Sequence, residues 1–422
     1  MSTAVSAPAV EHPGRRIRSR PTWFWPAVFG GALVVVATVR VLTGAHDIDS
    51  AGALTAAIGL TVPIALAGLG GMWSERSGVV NIGLEGMMIL GTWGGAFFAY
   101  HLGPWAGLVG AVLLGVVGGA IHALATVIFG VDHIVSGVAI NTLGAGAASY
   151  LAARTFTGLE GGGPTQSPPL PGLPSVTVPG LADALGDLEA GRTWLVADVA
   201  SVLRALVKDL SVVTILAVVL VVASWWVLWR TPFGLRVRSC GEAPQAAETL
   251  GVNVVAHKVV AVLVSGGLAG LAGGFLALVA SGLYRDGQTG GRGFIGLAAM
   301  IFGNWRPGGL VAGASLFGYA DAVQLRGRGD VVHAYLLPIA VGLLVWGMWQ
   351  WVRRRNGKPT RGLVPVVTGL LAFGWFALTD QVPGEFTGMT PYVATLLVLA
   401  FASQRLRMPA ADGQIYRKGE AR

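Results

Sequence analysis

Few side chains in this sequence can do chemistry, and those that can stand in apolar surroundings. Asn81, Glu85, Met88 and Thr92 recur at helical spacing and would share one face of a helix. A carboxylate inside an apolar span is costly to bury and usually faces a bundle interior or a water-filled cavity. Glu85 therefore reads either as a lining or gating group on a solute pathway, or as a group that caps a neighbouring helix end or pairs with Arg76. Asp321 and Gln324 share a face further on, and Asn141 stands among Gly137, Gly144 and Ala148. These groups can hydrogen-bond a polar solute; the commoner role of a membrane Asn or Gln is a bond between helices. His122 and His133 read as structural, and no metal-ligand cluster is evident. Nor do His, Asp, Glu or Ser cluster toward one aqueous surface, as an enzyme would need.

The elements that position these groups are apolar runs. The chain has 422 residues, 53% hydrophobic and 12% charged, with 64 glycines. That is half the charge of a soluble domain. Runs at 23–43, 51–73, 81–101, 104–129, 131–153, 210–229, 258–280, 293–304, 308–325, 333–352, 363–379 and 391–404 predict an all-α polytopic membrane protein with about ten to twelve transmembrane segments. Run 293–304 is about half a normal span. It is a short or broken segment, either a separate pass or a deep half-helix preceding a full one, and such pieces often border a transport path. The even count puts both termini in the cytosol and 20 of the 29 Lys and Arg on the inner side, as the positive-inside rule requires. The basic residues lie in short patches between spans, a pattern that argues against nucleic acid. The lone Cys240 excludes an internal disulfide. No P-loop is present: Lys358 follows a glycine, but Pro359 comes next.

The chain then divides into a polar tail at 1–22, a transmembrane domain at 23–352 and an extension at 353–422 with two further predicted spans. The long hydrophilic loop 155–209 is external, and near 194–208 it can form a short amphipathic helix. The cytosolic loop 230–257 holds a predicted two-turn helix at 244–250. Pro244 suits its first turn, and Gly251 can stop it in the left-handed conformation. Gly266, Gly270 and Gly274 form a face for close helix packing.

Three stretches resemble one family. Ser74-Glu75-Arg76-Ser77-Gly78-Val79-Val80-Asn81-Ile82-Gly83-Leu84-Glu85-Gly86 is similar to the signature of permeases for branched-chain amino acids, ribose and nucleosides, closest to the nucleoside or simple-sugar type. Gly241-Glu242 with Pro244, Ala246, Ala247 and Gly251 resembles the loop that couples such permeases to their ATPase. Gly291 to Trp305, with Pro307 and Gly309, resembles a third block. The resemblance covers about 51–352. It implies the permease subunit of an ATP-driven (ABC) importer in the plasma membrane, translocating nucleosides or related simple sugars. The alternatives are branched-chain amino acids or an ion-coupled secondary transporter. It also implies a second permease subunit, a cytosolic ATPase that uses ATP and magnesium, and an extracellular substrate-binding lipoprotein, with no cofactor on this chain. Asn81, Glu85, Asn141, Phe294 and Asp321 become candidate pathway residues. The extension beyond 352 lies outside the resemblance and is expected to be peripheral.

Overall fold

The computed structural model describes residues 24–326, 329–352, 360–393, 395–396 and 406–419. Their order is α1 (Phe24–Thr43), α2 (Ala51–Arg76), α3 (Leu84–Leu102), α4 (Pro104–Ala123), α5 (His133–Phe156), β1 (Ser175–Val176), α6 (Leu181–Ala190), α7 (Val196–Ala205), β2 (Leu210–Ser211), α8 (Val212–Arg230), α9 (Pro232–Glu242), α10 (Pro244–Thr249), α11 (Val254–Phe275), α12 (Arg292–Phe302), α13 (Pro307–Arg326), α14 (Gly329–Val352), α15 (Thr360–Leu378) and α16 (Gly384–Thr387). Among the described residues, six helical stretches are long and apolar enough to cross a membrane: His46–Arg76, Pro104–Ile128, His133–Phe156, Val212–Arg230, Val254–Ala280 and Gly329–Val352. The protein is therefore an all-α polytopic membrane protein, apart from two two-residue strands that pair antiparallel in the loop after α5.

The helices begin where the sequence supplies a cap. Ser50, Asp132, Ser211 and Asn253 each accept a first-turn backbone N–H, at the starts of α2, α5, α8 and α11. The central pillar is α11, whose spanning window is 78% buried. Glycine makes that burial possible. A Cβ on Gly266 would strike the carbonyl of Gly115, and one on Gly270 the carbonyl of Ala111, so α11 and α4 meet backbone to backbone. The expected Gly266/Gly270/Gly274 face is thus a packing face.

Three expectations are revised and one open alternative is resolved. The third span begins at Leu84, so Asn81 lies in a break between α2 and α3 and not on the helical face of Glu85. Segment 293–304 is the half-helix α12, 11 residues long. At 1.5 Å per residue it rises only about 16 Å, half the apolar thickness. Ahead of α10 stands an unpredicted helix, α9, capped by the Thr231 hydroxyl and started by Pro232. The loop after α5 holds α6 in addition to the expected helix near 194–208, which is α7. Run 391–404 falls largely outside the described residues.

At the end of the bundle opposite α9 and α10, the loop after α5 is tied to the spans. Arg40 of α1 makes a two-pronged pair with Asp198 of α7, at 2.7 and 3.0 Å, and Glu189 of α6 accepts from Ala51 N–H at 2.9 Å.

Candidate functional site

Two structured regions meet at the α9–α10 end of the bundle. The first is α9–α10 itself. Its residues alternate by helical register: Gly241, Pro244 and Ala247 are buried, while Gln245, Ala246, Thr249 and Leu250 are exposed. Leu250 is 84% exposed. Gly251 follows in the left-handed region at φ +83°, and stops the helix as expected. The element thus buries one face and presents an outward tip.

The buried face rests on the break between α2 and α3. A Cβ on Gly241 would strike the carbonyl of Arg76, and one on Gly78 would sit 3.1 Å from Gly241 Cα. α9 and segment 77–83 therefore pack backbone to backbone. Glu242, just before the start of α10, lies 3.9 Å from Arg76.

That segment is not helical, and side chains from the surrounding helices meet its polar groups. Val80 is held on both sides. Its carbonyl accepts from His122 Nε2 of α4 at 3.0 Å, and its N–H donates to His133 Nδ1 of α5 at 3.3 Å. The other His122 nitrogen meets the Ser136 hydroxyl at 2.9 Å. Asn81 donates to Ser265 of α11 at 2.9 Å. Asn141 of α5 donates to the Ile82 carbonyl at 3.0 Å and accepts from Gly86 N–H at 2.8 Å. The two histidines are structural, as expected, but they act as a pair. Sequence alone could not show this, because their common partner is a backbone unit some 40 to 50 residues away.

The second region starts in the first turn of α3. The Glu85 carboxylate accepts from Gly291 N–H at 2.9 Å and from Gly293 N–H at 2.7 Å. Those are unpaired donors at the N-terminus of α12, where an anion is most stabilising. Of the roles open to Glu85, the structure places it as a cap. Arg76 is not its partner; that guanidinium donates to the Trp305 carbonyl at 2.8 and 3.1 Å. A Cβ on Gly293 would come within 2.7 Å of Glu85 N, so only glycine lets the two elements close. Arg292, between the two capped residues, reaches Asp321 of α13 at 3.2 Å. Phe294, next to Gly293 in the same turn, is half exposed.

Of the five candidate pathway residues, Asn81, Glu85 and Asn141 thus gather around the break and the start of α3. Asp321 and Phe294 stand on the far side of the α12 N-terminus. A chain of direct contacts joins them: Asn141 to Gly86, Glu85 to Gly293, Arg292 to Asp321. One pair went unforeseen. Trp305 donates its indole N–H to Glu75 at 2.6 Å, locking the end of α2 to the α12–α13 turn. The signal was available: a buried acid beside an arginine needs a donor, and Trp305 sits in the third motif block.

A half-helix whose N-terminus meets an acid inside a bundle, with an outward helical hairpin at one end, defines a membrane protein of the transporter class. More narrowly, the family model described as the branched-chain amino acid transport system permease component matches residues 53–327, and the chain belongs to that family. The guanosine ABC transporter permease of Bacillus subtilis is 35% identical over 321 residues, covering 73% of this chain and 93% of that protein. A nucleoside ABC transporter permease of Lactococcus lactis is 29% identical over 367 residues, 85% of this chain and 95% of its own. A putative glucose ABC transporter permease of Haloferax volcanii is 31% identical over 376 residues, 87% and 98% respectively. All three alignments are longer than the stretch 51–352, so the resemblance extends further than the motifs alone suggest. No solved structure matches the chain.

Proposed function

We propose that this chain is a membrane-spanning permease subunit of an ATP-driven importer, translocating nucleosides or related simple sugars across the plasma membrane. The relatives named above support that substrate class. The observation that carries the mechanism is the seating of α9–α10. Its outer face is free to enter a groove on a cytosolic ATPase, and its inner face bears on segment 77–83 through Gly241 and Gly78. ATP binding and hydrolysis take place in that partner, and this chain holds no nucleotide. A second permease subunit completes the pathway, and an external binding lipoprotein delivers the substrate.

In this reading the α9–α10 end, both termini and 353–361 are cytosolic, and 155–209 is external. Asn81, Glu85, Asn141, Phe294 and Asp321 lie along the route from the coupling element to the pathway. Arg292, Asp321 and Phe294 stand toward the side from which substrate arrives. Gly241, Glu242, Pro244, Ala246, Ala247 and Gly251 form the coupling element.

The test is uptake by the complex reconstituted with its ATPase, second permease and binding protein. Labelled guanosine, glucose and leucine are offered separately, with and without ATP. ATP-dependent guanosine or glucose uptake is expected. Uptake of leucine alone would move the substrate class, and uptake driven by an ion gradient without ATP would sink the proposal.

A further inference from the structure

The segment Leu406–Gly419 has no regular helix or strand, yet it is seated on the coupling element. Its backbone makes three bonds to other elements. Arg407 N–H donates to Asn304 Oδ1 in the α12–α13 turn at 2.7 Å, Ala410 N–H to Glu242 Oε2 at 3.2 Å, and Ala411 N–H to the Gly241 carbonyl at 2.8 Å. Gly413, at φ +76°, lies against Val80; a Cβ there would be 3.4 Å from its side chain. Tyr416 packs onto the cluster of Cys240, Ala247 and Val254, with Lys258 Nζ 5.8 Å from its ring centre.

Two features separate this from a tail that merely lies on a surface. It is buried where it crosses the break: Ala411 is 4% and Asp412 8% exposed. Burying a coil costs its conformational entropy, which the three backbone bonds help to offset. Its partners also fall on both sides of one joint. Gly241, Glu242 and Ala247 belong to the moving hairpin of the proposed mechanism, whereas Val80 and Asn304 belong to the break and to the turn that carries α12.

We infer that Leu406–Gly419 is a clasp that joins the coupling hairpin to the α2–α3 break and the α12–α13 turn, so that movement of α10 is passed inward. This rests on the coupling role proposed for α9–α10. Without the clasp the hairpin would bear on the break through the Gly241–Gly78 contact, and it would reach the turn that follows α12 through Arg76, which lies 3.9 Å from Glu242 and donates to the Trp305 carbonyl. With it, all three move as one piece. The extension beyond residue 352 is then not uniformly peripheral: α15 packs along α14, while 406–419 belongs to the coupling machinery.

Two variants of the reconstituted complex test this. One chain ends at Arg405. The other carries Gly413→Val, which places a β-branched residue in the left-handed region and against Val80. A thiol probe follows seating directly: Ala411→Cys in a Cys240→Ser background is shielded from an aqueous reagent while the clasp is seated, and Gly413→Val exposes it. Both variants are expected to insert and to co-purify with the ATPase. They should keep the ATP turnover seen without loaded binding protein. Stimulation by loaded binding protein and uptake should fall together by roughly 5- to 150-fold, the usual span of a coupling energy. Unchanged uptake overturns the clasp, and so does raised uptake, which would make the segment a brake. Loss of ATPase co-purification overturns it too, by making the segment a docking part. Should the shortened chain fail to insert, Gly413→Val decides. Failure of the underlying coupling role reads differently, as normal uptake in a Gly251→Val protein whose clasp is intact.

Discussion

Replacing Glu85 by glutamine separates a cap from a pathway lining. The carboxylate holds two N–H donors of the α12 terminus, at 2.9 and 2.7 Å. Glutamine keeps one acceptor and turns an NH2 group toward the other donor, so one charge-assisted bond is lost and a buried N–H is left facing another donor. Such a bond contributes about 1.5–3 kcal/mol. Removing the negative charge from the helix N-terminus costs about 0.3–1 kcal/mol more. The expected loss is therefore about 2–4 kcal/mol by these two contributions. The assay is SDS-driven unfolding of the purified protein, followed by tryptophan fluorescence, beside uptake by the reconstituted complex. Glu85→Gln should shift the unfolding free energy by that amount and lower uptake at every substrate concentration. Glu85→Asp should resemble it, because the shorter side chain cannot span both donors. A stability change below about 0.5 kcal/mol, the size of an ordinary surface substitution, combined with an altered KM would refute the cap. Glu85 would then line the pathway and touch substrate.

Gly251→Val should assemble yet lose substrate-stimulated ATP turnover and uptake together, since φ +83° is strained for a β-branched residue and the exposed tip would turn; normal uptake would make α10 a plain connector. Gly241→Arg should also fail, but by dislodging the Arg76–Gly78 backbone and not by hindering docking, so a fall in unfolding free energy should accompany it. Thr165→Cys should react with an impermeant thiol reagent from outside and Thr249→Cys should not, in a Cys240→Ser background; the reverse pattern would invert the topology. Asp412 gives the clasp a pH dependence. Burial holds its carboxyl up at about 7 in the seated segment, from 3.8 when free, with Glu75 and Arg76 of α2 and Lys258 of α11 facing it. The seated form binds the proton more tightly, so seating should strengthen as pH falls from about 7 toward 4. Labelling of Ala411→Cys, normalised to exposed Thr249→Cys, should slow over that range, and Asp412→Asn should flatten the profile; a profile that is flat without the substitution would refute this.

Much of the framework was legible because the physics is local. Apolar runs long enough to span announce themselves by composition, and Pro244 and Gly251 mark a helix start and stop by backbone chemistry alone. The Thr231-Pro232 pair carries the same kind of signature and would have revealed α9, whose polar, Gly- and Arg-containing sequence lacks an apolar stripe. Other features were not local. The apolar sequence runs on from Val79 through Leu84 without a breaker that a hydropathy reading would respect. What interrupts the helix is a set of partners on α4, α5 and α11. Glu85 was legible as an unusual acid, but its two donors lie more than 200 residues later. The clasp was least legible of all. It has no period, and it is held through backbone groups whose positions no side-chain pattern records.

These contacts indicate which part of the molecule yields when α10 is pushed. Leu250 is the exposed tip, and the hairpin behind it is packed at backbone distance on Gly78, so little can be absorbed there. Segment 77–83 is fixed in turn to three helices through Val80, Asn81 and Ile82. In the proposed mechanism displacement then passes to the first turn of α3, where Asn141 holds Gly86 and the preceding residue, Glu85, holds Gly293 of α12. Beyond Glu85 the construction changes. The half-helix α12 has only 11 residues and is preceded by Gly287, Gly290 and Gly291, all at positive φ. Glycine tolerates changes of φ that other residues resist, so this loop can hinge where the break cannot. Its far end is pinned by Trp305 to Glu75 and Arg76 and by the clasp at Asn304. A short helix pinned at one end and hinged at the other, where Glu85 and Asp321 grip it, would turn a small push into a tilt. In the proposed mechanism the tilt moves Arg292 relative to Asp321 and swings Phe294, which carries a push on the hairpin toward the middle of the bundle.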